Sequence, residues 1–132
     1  MAPEESFSRV PLEVTVIGKG KLRGEIIKHL APSTNLTIIR RGKLAGRATL
    51  EGDTVVVPTS IRAAAEKQKT KFMTGDIGFL PLNGALYLFT KDTFTPRPMN
   101  HIGRVDPEAE LLRKISRGDT IVFEVMQRPT SS

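Results

Sequence analysis

The strongest constraint on the fold is the brevity of the apolar runs. None exceeds four or five residues, and several are bounded by Gly, Pro or Asn, as in Gly75-Asp76-Ile77-Gly78-Phe79-Leu80-Pro81 and Gly84-Ala85-Leu86-Tyr87-Leu88-Phe89. Runs of this length with these punctuators read as short strands joined by tight turns.

The rest of the chain extends that pattern. Leu12, Val14 and Val16 recur at period two, and Gly18-Lys19-Gly20 turns the chain into a second strand around Leu22 to Ile27. Arg47 to Leu50 and Thr54 to Val57 pair about Glu51-Gly52-Asp53, and Ile77 to Pro81 pairs with Ala85 to Thr90 about Leu82-Asn83-Gly84. Pro96 and Pro98 predict an ordered loop over 91–99, because proline fixes φ and lacks an N–H. Ile102 to Val105 resumes the sheet, and Thr120 to Val125 is the last strand.

A helix is predicted from Pro32 to Gly42, and a second from Asp106 to Gly118, with Asp106 as N-cap and Leu111, Leu112 and Ile115 on one face. Residues 60–69 read either as a helix or as an irregular basic loop. The sum is a mainly β chain, a closed eight-stranded barrel with two or three short capping helices, since closure removes sheet edges. One domain over 11–127 is expected, with a flexible arm at 1–10 and a frayed tail at 128–132.

Composition removes several chemistries. There is no cysteine, which excludes disulfides, thiolate zinc sites and cysteine nucleophiles. No apolar stretch approaches the roughly 20 residues of a membrane helix. Met1-Ala2-Pro3-Glu4-Glu5 lacks a basic region followed by an apolar one, so a soluble, cytoplasmic protein with no membrane partner is expected. Gly18, Gly20 and Gly24 miss the dinucleotide spacing, and a strand follows them instead of a helix. His29 and His101 lie far apart with no third ligand, so neither a metal nor another cofactor is expected. No serine has an adjacent base. Asp76, at a strand start after Gly75, reads as a turn cap.

The net charge of +6 is uneven. Residues 1–75 carry 13 Lys and Arg against 7 Asp and Glu, and residues 76–132 carry 7 against 7. The clusters Lys19/Lys21/Arg23, Arg40/Arg41/Lys43/Arg47 and Lys67/Lys69/Lys71 serve either as solvated surface or as a footprint for phosphate backbones.

The run Gly75 to Phe89, then Ile102-Gly103-Arg104-Val105, then Leu111-Leu112 with Ile115, then Gly118-Asp119 before a terminal strand, resembles the small uncharacterised cyclophilin-like proteins of archaea and bacteria. The likeness covers roughly residues 12–126. Leu30-Ala31-Pro32-Ser33-Thr34 is similar to the helix start of cyclophilins. The resemblance implies an eight-stranded barrel capped by helices. Laying Pro58 on the proline of the cyclophilin Val-Ile-Pro strand places Val55 where the isomerases carry an arginine. Valine has no donor and no charge, so substantial prolyl isomerase activity is not expected, and a weak residual activity is the third and least favoured reading. The chain also has no Trp where the small relatives often carry one.

Two functions from different classes remain. The first is a non-catalytic module binding a peptide-like or small apolar ligand near Val55, Val57, Phe79, Tyr87, Phe89, Arg97, Asn100 and His101. The second is nucleic-acid binding through Arg40, Arg41, Lys43, Arg47, Lys67, Lys69 and Lys71. Against the second stands the absence of any aromatic residue between Phe7 and Phe72, which leaves the basic half without a stacking platform in sequence.

Overall fold

The computed structural model describes residues 8–126; of the arm expected over 1–10, residues 1–7 lie outside the described residues and Arg9 and Val10 belong to the first strand, and the tail over 128–132 also lies outside them. Ten strands form in chain order: β1 (Arg9–Val16), β2 (Gly20–Ile27), β3 (Lys43–Arg47), β4 (Thr49–Glu51), β5 (Thr54–Pro58), β6 (Lys69–Phe72), β7 (Asp76–Leu80), β8 (Ala85–Phe89), β9 (Thr93–Val105) and β10 (Thr120–Val125). Helix α1 (Pro32–Arg41) links β2 to β3, after a 3-10 turn at Lys28–Leu30. The ladder runs β3-β10-β1-β2-β9-β7-β8-β5-β4, with β6 paired to β9 off that path, and every pair is antiparallel.

The mainly β class holds, but the expected closed eight-stranded barrel does not. The sheet is open between its terminal strands β3 and β4. At that seam β3 meets β5 by packing instead of hydrogen bonding. A Cβ on Gly46 would lie 2.5 Å from the Pro58 carbonyl oxygen and 2.9 Å from Val57 Cγ1, so only a bare backbone fits. Pro58 has no N–H to give to a ladder there. The predicted strand over 47–50 is split at Ala48, whose N–H donates to the Asp119 carbonyl and whose carbonyl accepts from Gly118 N–H, both at 2.8 Å.

Two further expectations are corrected. Residues 93–99 are strand, not loop. They pair only with β6, an edge ribbon where proline costs no central ladder bond. Lys71 pairs with Phe94 and Lys69 with Met99, so Thr70 alone spans Thr95 to Pro98 in an irregularity that holds both prolines. The helix predicted after Asp106 shrinks to a 3-10 segment at Glu110–Lys114. Asp106 accepts from Glu108 N–H instead of capping a helix. Leu112 and Ile115 are buried, and their spacing of three suits a three-residue turn. The helix at Pro32 forms as predicted and ends at Gly42, φ 74°. Residues 60–68 form neither helix nor strand.

Helix α1 has no cap from its own N-terminal residues. Glu66 supplies it from the 60–68 segment, accepting from Ser33 N–H (2.9 Å), Thr34 N–H (3.0 Å) and the Thr34 hydroxyl (2.9 Å). Burial works against that carboxylate, but these donors, led by the Thr34 and Ser33 amides, hold its pKa below the ordinary range.

Candidate binding groove

Strands β7 and β8 are buried on both faces, because alternate residues enter different clusters. Ile77, Phe79, Leu86 and Leu88 enter the main interior. Leu80, Ala85, Tyr87 and Phe89 join Val56, Phe72 and Met99 in a second cluster on the outer face. Gly78 makes that cluster possible. A Cβ there would lie 2.9 Å from Met99 Sδ and 3.3 and 3.4 Å from the Phe89 and Phe72 rings. Over this bare backbone Phe72, carried across by β6, stacks on Phe89 with centroids 4.6 Å apart and planes 11° apart.

Beside this cluster lies a groove of about 480 Å³. Leu80, Tyr87, Phe89 and Met99 give it apolar walls. Thr95, Pro96 and Arg97 of the β9 ribbon line another part, with Leu82 and Asn83 from the β7–β8 turn and Glu51 and Thr54 from β4 and β5. The Tyr87 hydroxyl accepts from Asn83 Nδ2 at 3.1 Å. Arg97 forms no ion pair among the described residues. An apolar wall beside amide, hydroxyl and guanidinium donors suits an apolar side chain carried on a group that accepts hydrogen bonds. No His, Ser or Cys among the described residues lines the groove.

Of the eight residues expected at a ligand site, Tyr87, Phe89 and Arg97 meet in this groove. Val55, Val57 and Phe79 point to the opposite side, into the interior. Val55 also borders a separate hollow of about 620 Å³, with Leu50, Leu112 and Ile115 below a rim that carries the 3.0 Å Lys91–Asp53 ion pair. Asn100 is fully buried and serves structure: it accepts from Glu66 N–H (2.9 Å) and donates to the Thr34 hydroxyl and the Ala64 carbonyl (each 3.0 Å).

His101 borders the outer cluster without lining the groove. Its Nε2 is 3.0 Å from the Gly103 carbonyl and 3.4 Å from Asp76 Oδ1; both are acceptors, so Nε2 carries the proton. The ring stands edge-on to Phe72, centroids 5.6 Å apart. Asp76 also accepts from Met73 N–H at 2.8 Å, closing the turn into β7. Burial disfavours its charge, but the His101 bond, the Met73 amide and the charges of His101 and Lys69 hold its carboxyl below the ordinary range. Among the described residues no group of His, Asp and Glu is arranged to hold a metal.

Leu80, Leu82, Met99 and Thr54 were missed by the sequence reading. Period-two alternation could have found part of the set, since it puts Tyr87 with Phe89 against Leu86 with Leu88, and Thr54 with Val56 against Val55 with Val57. The basic residues are distributed as follows. Arg40 and Arg41 end α1, Lys43 and Arg47 lie on β3, Lys69 and Lys71 lie on β6, and Lys67 lies two residues before that strand.

No helix among the described residues is long and apolar enough to cross a membrane. No family model matches the sequence, and no curated protein matches it. Among solved structures, the fold is similar to the solution structure of the hypothetical protein AF2241 from Archaeoglobus fulgidus: 22% identity over 89% of this chain and 95% of that one, with a TM-score of 0.72. It is also similar to McbB, solved in complex with tryptophan: 12% identity over 92% of this chain and 46% of McbB, with a TM-score of 0.71. This chain therefore spans just under half of McbB, and at these identities the likeness is one of fold.

Proposed function

We propose that this chain is a cyclophilin-like binding module that takes a peptide-like or small apolar ligand into the outer-face groove, without prolyl isomerase chemistry. The observation that carries the reading is the groove itself. Tyr87, Phe89 and Met99 offer apolar surface beside the Asn83 amide and the Arg97 guanidinium, which forms no ion pair among the described residues. Its volume of about 480 Å³ falls within the usual range for small-ligand sites. The tryptophan in McbB, a protein of this fold, makes an aromatic amino-acid side chain a reasonable first probe.

The case against isomerase chemistry rests on a different residue from the one the sequence singled out. Val55 faces the interior, whereas Val56 belongs to the outer cluster. Neither supplies a cation. Val56→Arg, not Val55→Arg, is therefore the comparison for a proline-peptide turnover assay, and substantial turnover by the unmodified protein would overturn the non-catalytic reading.

Binding is tested by calorimetric titration with blocked Trp- and Pro-containing peptides at low and high salt. Saturable, salt-insensitive binding that weakens in Tyr87→Ala and in the surface variant Leu82→Ala is expected. Absence of binding across the peptides, or binding unchanged in both variants, refutes the groove as the site.

A further inference from the structure

The two basic clusters lie far apart in sequence, but the fold connects them. Residues 60–67 run antiparallel along α1. Arg41 at the end of the helix donates to Ser60 Oγ, Glu66 caps the start of the helix, and Lys67 Nζ donates to the His29 carbonyl at 2.8 Å. At Lys67 the backbone takes φ 44°, and the chain then enters β6. Lys71 on β6 sits opposite Phe94 on β9, its Nζ 5.8 Å from the ring centroid. Phe94 is 75% exposed, against full burial for Phe72, Phe79 and Phe89.

Most of the cations along this path form no ion pair among the described residues; Lys69, 3.9 Å from Asp76, is the exception. Lys19 and Lys21, in another basic cluster, are paired to Asp119 and Glu13. By contrast Arg40, Arg41, Lys43, Arg47, Arg62, Lys67 and Lys71 form no ion pair among the described residues. Of the nearby acids, Glu66 is engaged on the helix amides, Asp76 on Met73 and His101 as well as Lys69, and Asp92, which feels the charge of Lys71, on Thr74. Helix α1 contributes about 15 Å and β6 about 13 Å to the path, enough for several nucleotides.

We propose that this track, from Arg40 and Arg41 through Arg62 and Lys67 to Lys71, binds single-stranded nucleic acid, with Phe94 as the platform for one base. The cations attract the phosphates, and the exposed ring gives a sequence-tolerant stacking surface. The platform that was missing from the basic half is supplied by a residue more than twenty positions downstream, brought in by strand pairing. The track is separate from the apolar groove and does not depend on a ligand there.

The test is fluorescence anisotropy with labelled 15-mer oligo(U) and oligo(dT), and with a duplex of equal length, from 50 to 200 mM salt. Single strands are expected to bind with an affinity that falls steeply with salt, at a log-log slope of about −3 for four or five phosphates contacted. Phe94→Ala should weaken single-strand binding by about tenfold. Arg40→Glu with Lys43→Glu should lower both the affinity and the slope. All three substitutions are on exposed side chains. Oligo(U) against oligo(dT) separates RNA from DNA as the preferred source of the strand. No binding at 50 mM salt overturns the proposal. So does equal binding of duplex and single strand with no effect of Phe94→Ala, which would mark a nonspecific polycation.

Discussion

The two apolar clusters share strands β5, β7, β8 and β9 but are built differently. The interior is dominated by Val, Leu and Ile, with Phe79 and Phe123 its only aromatic members among the described residues, and the one buried Asp, Glu, Lys or Arg among them, Asp76, lies beside the other cluster. The outer cluster has seven members, three of them Phe72, Tyr87 and Phe89. It borders an open groove on one side and the Asp76, His101 and Lys69 group on the other. Branched aliphatic side chains fill a curved sheet's concave side with few voids. Flat rings stack across a convex face and still leave a surface for a ligand. The interior therefore governs stability, and the outer cluster is the part free to serve binding.

The largest expected effect tests that division. Phe79→Ala empties a fully buried interior site and should cost about 3–5 kcal/mol. Tyr87→Ala removes a ring that faces the groove, where water can take its place, and should cost about half as much. Urea denaturation of both variants decides the matter: equal losses would mean that the two clusters act as one core.

Much of this architecture was legible in sequence. The period-two patterns of Leu12, Val14 and Val16 and of Ile121, Phe123 and Val125 each put one side in the interior, as expected. The near-continuous apolar run of Ala85 to Phe89 reported burial on both faces, but not that two separate clusters accounted for it. The β6–β9 ribbon was not legible. Its prolines argue for a loop unless one knows that the strand lies at an edge, which is a property of the assembled sheet. The groove suffered for the same reason, because the ribbon supplies Thr95, Pro96 and Arg97 and carries Phe72 over Gly78. Asn100 was legible as a polar residue near a site, yet its three bonds go to segments that sequence alone does not bring near it.

Asn100 follows Met99 of the outer cluster on β9 and fastens the 60–68 segment and the start of α1 to the sheet. Asn100→Ala leaves the Glu66 amide, the Ala64 carbonyl and the Thr34 hydroxyl each short of a partner. It should cost about 2–3 kcal/mol, between the Phe79 effect and the Asp76 effect. Faster hydrogen exchange at the Glu66 amide, with the β1–β2 amides still protected, would place the damage in that segment. A loss below about 0.5 kcal/mol would show that the segment is held by other contacts.

The smallest expected effect depends on pH and separates the clusters most directly. Asp76 has a folded pKa below its ordinary value of 3.8, because its bonds to His101 and Met73 and the nearby Lys69 outweigh burial. A carboxyl with a depressed folded pKa contributes stability that is fully present above the unfolded value and is lost as pH falls through the folded one. The contribution therefore stands at pH 6 and declines from about pH 5 downward. Since Asp76 bonds His101, whose ring stands against Phe72, this loss falls on the outer cluster. Tyr87 is the only tyrosine and there is no tryptophan, so intrinsic fluorescence reports on that cluster alone. Asp76→Asn keeps an acceptor for the Met73 amide but removes the charge facing His101 and Lys69, and should cost about 1 kcal/mol at pH 7. Other carboxylates, Glu66, Asp92 and Asp119 among them, titrate in both proteins, so the difference between the two curves isolates Asp76. The curves should converge as pH falls from 5 to 3, with Tyr87 emission changing over that interval in the unmodified protein and less in the variant. Parallel curves across the interval would mean that Asp76 does not couple protonation to the outer cluster, and the electrostatic contrast between the two clusters would then have no energetic consequence.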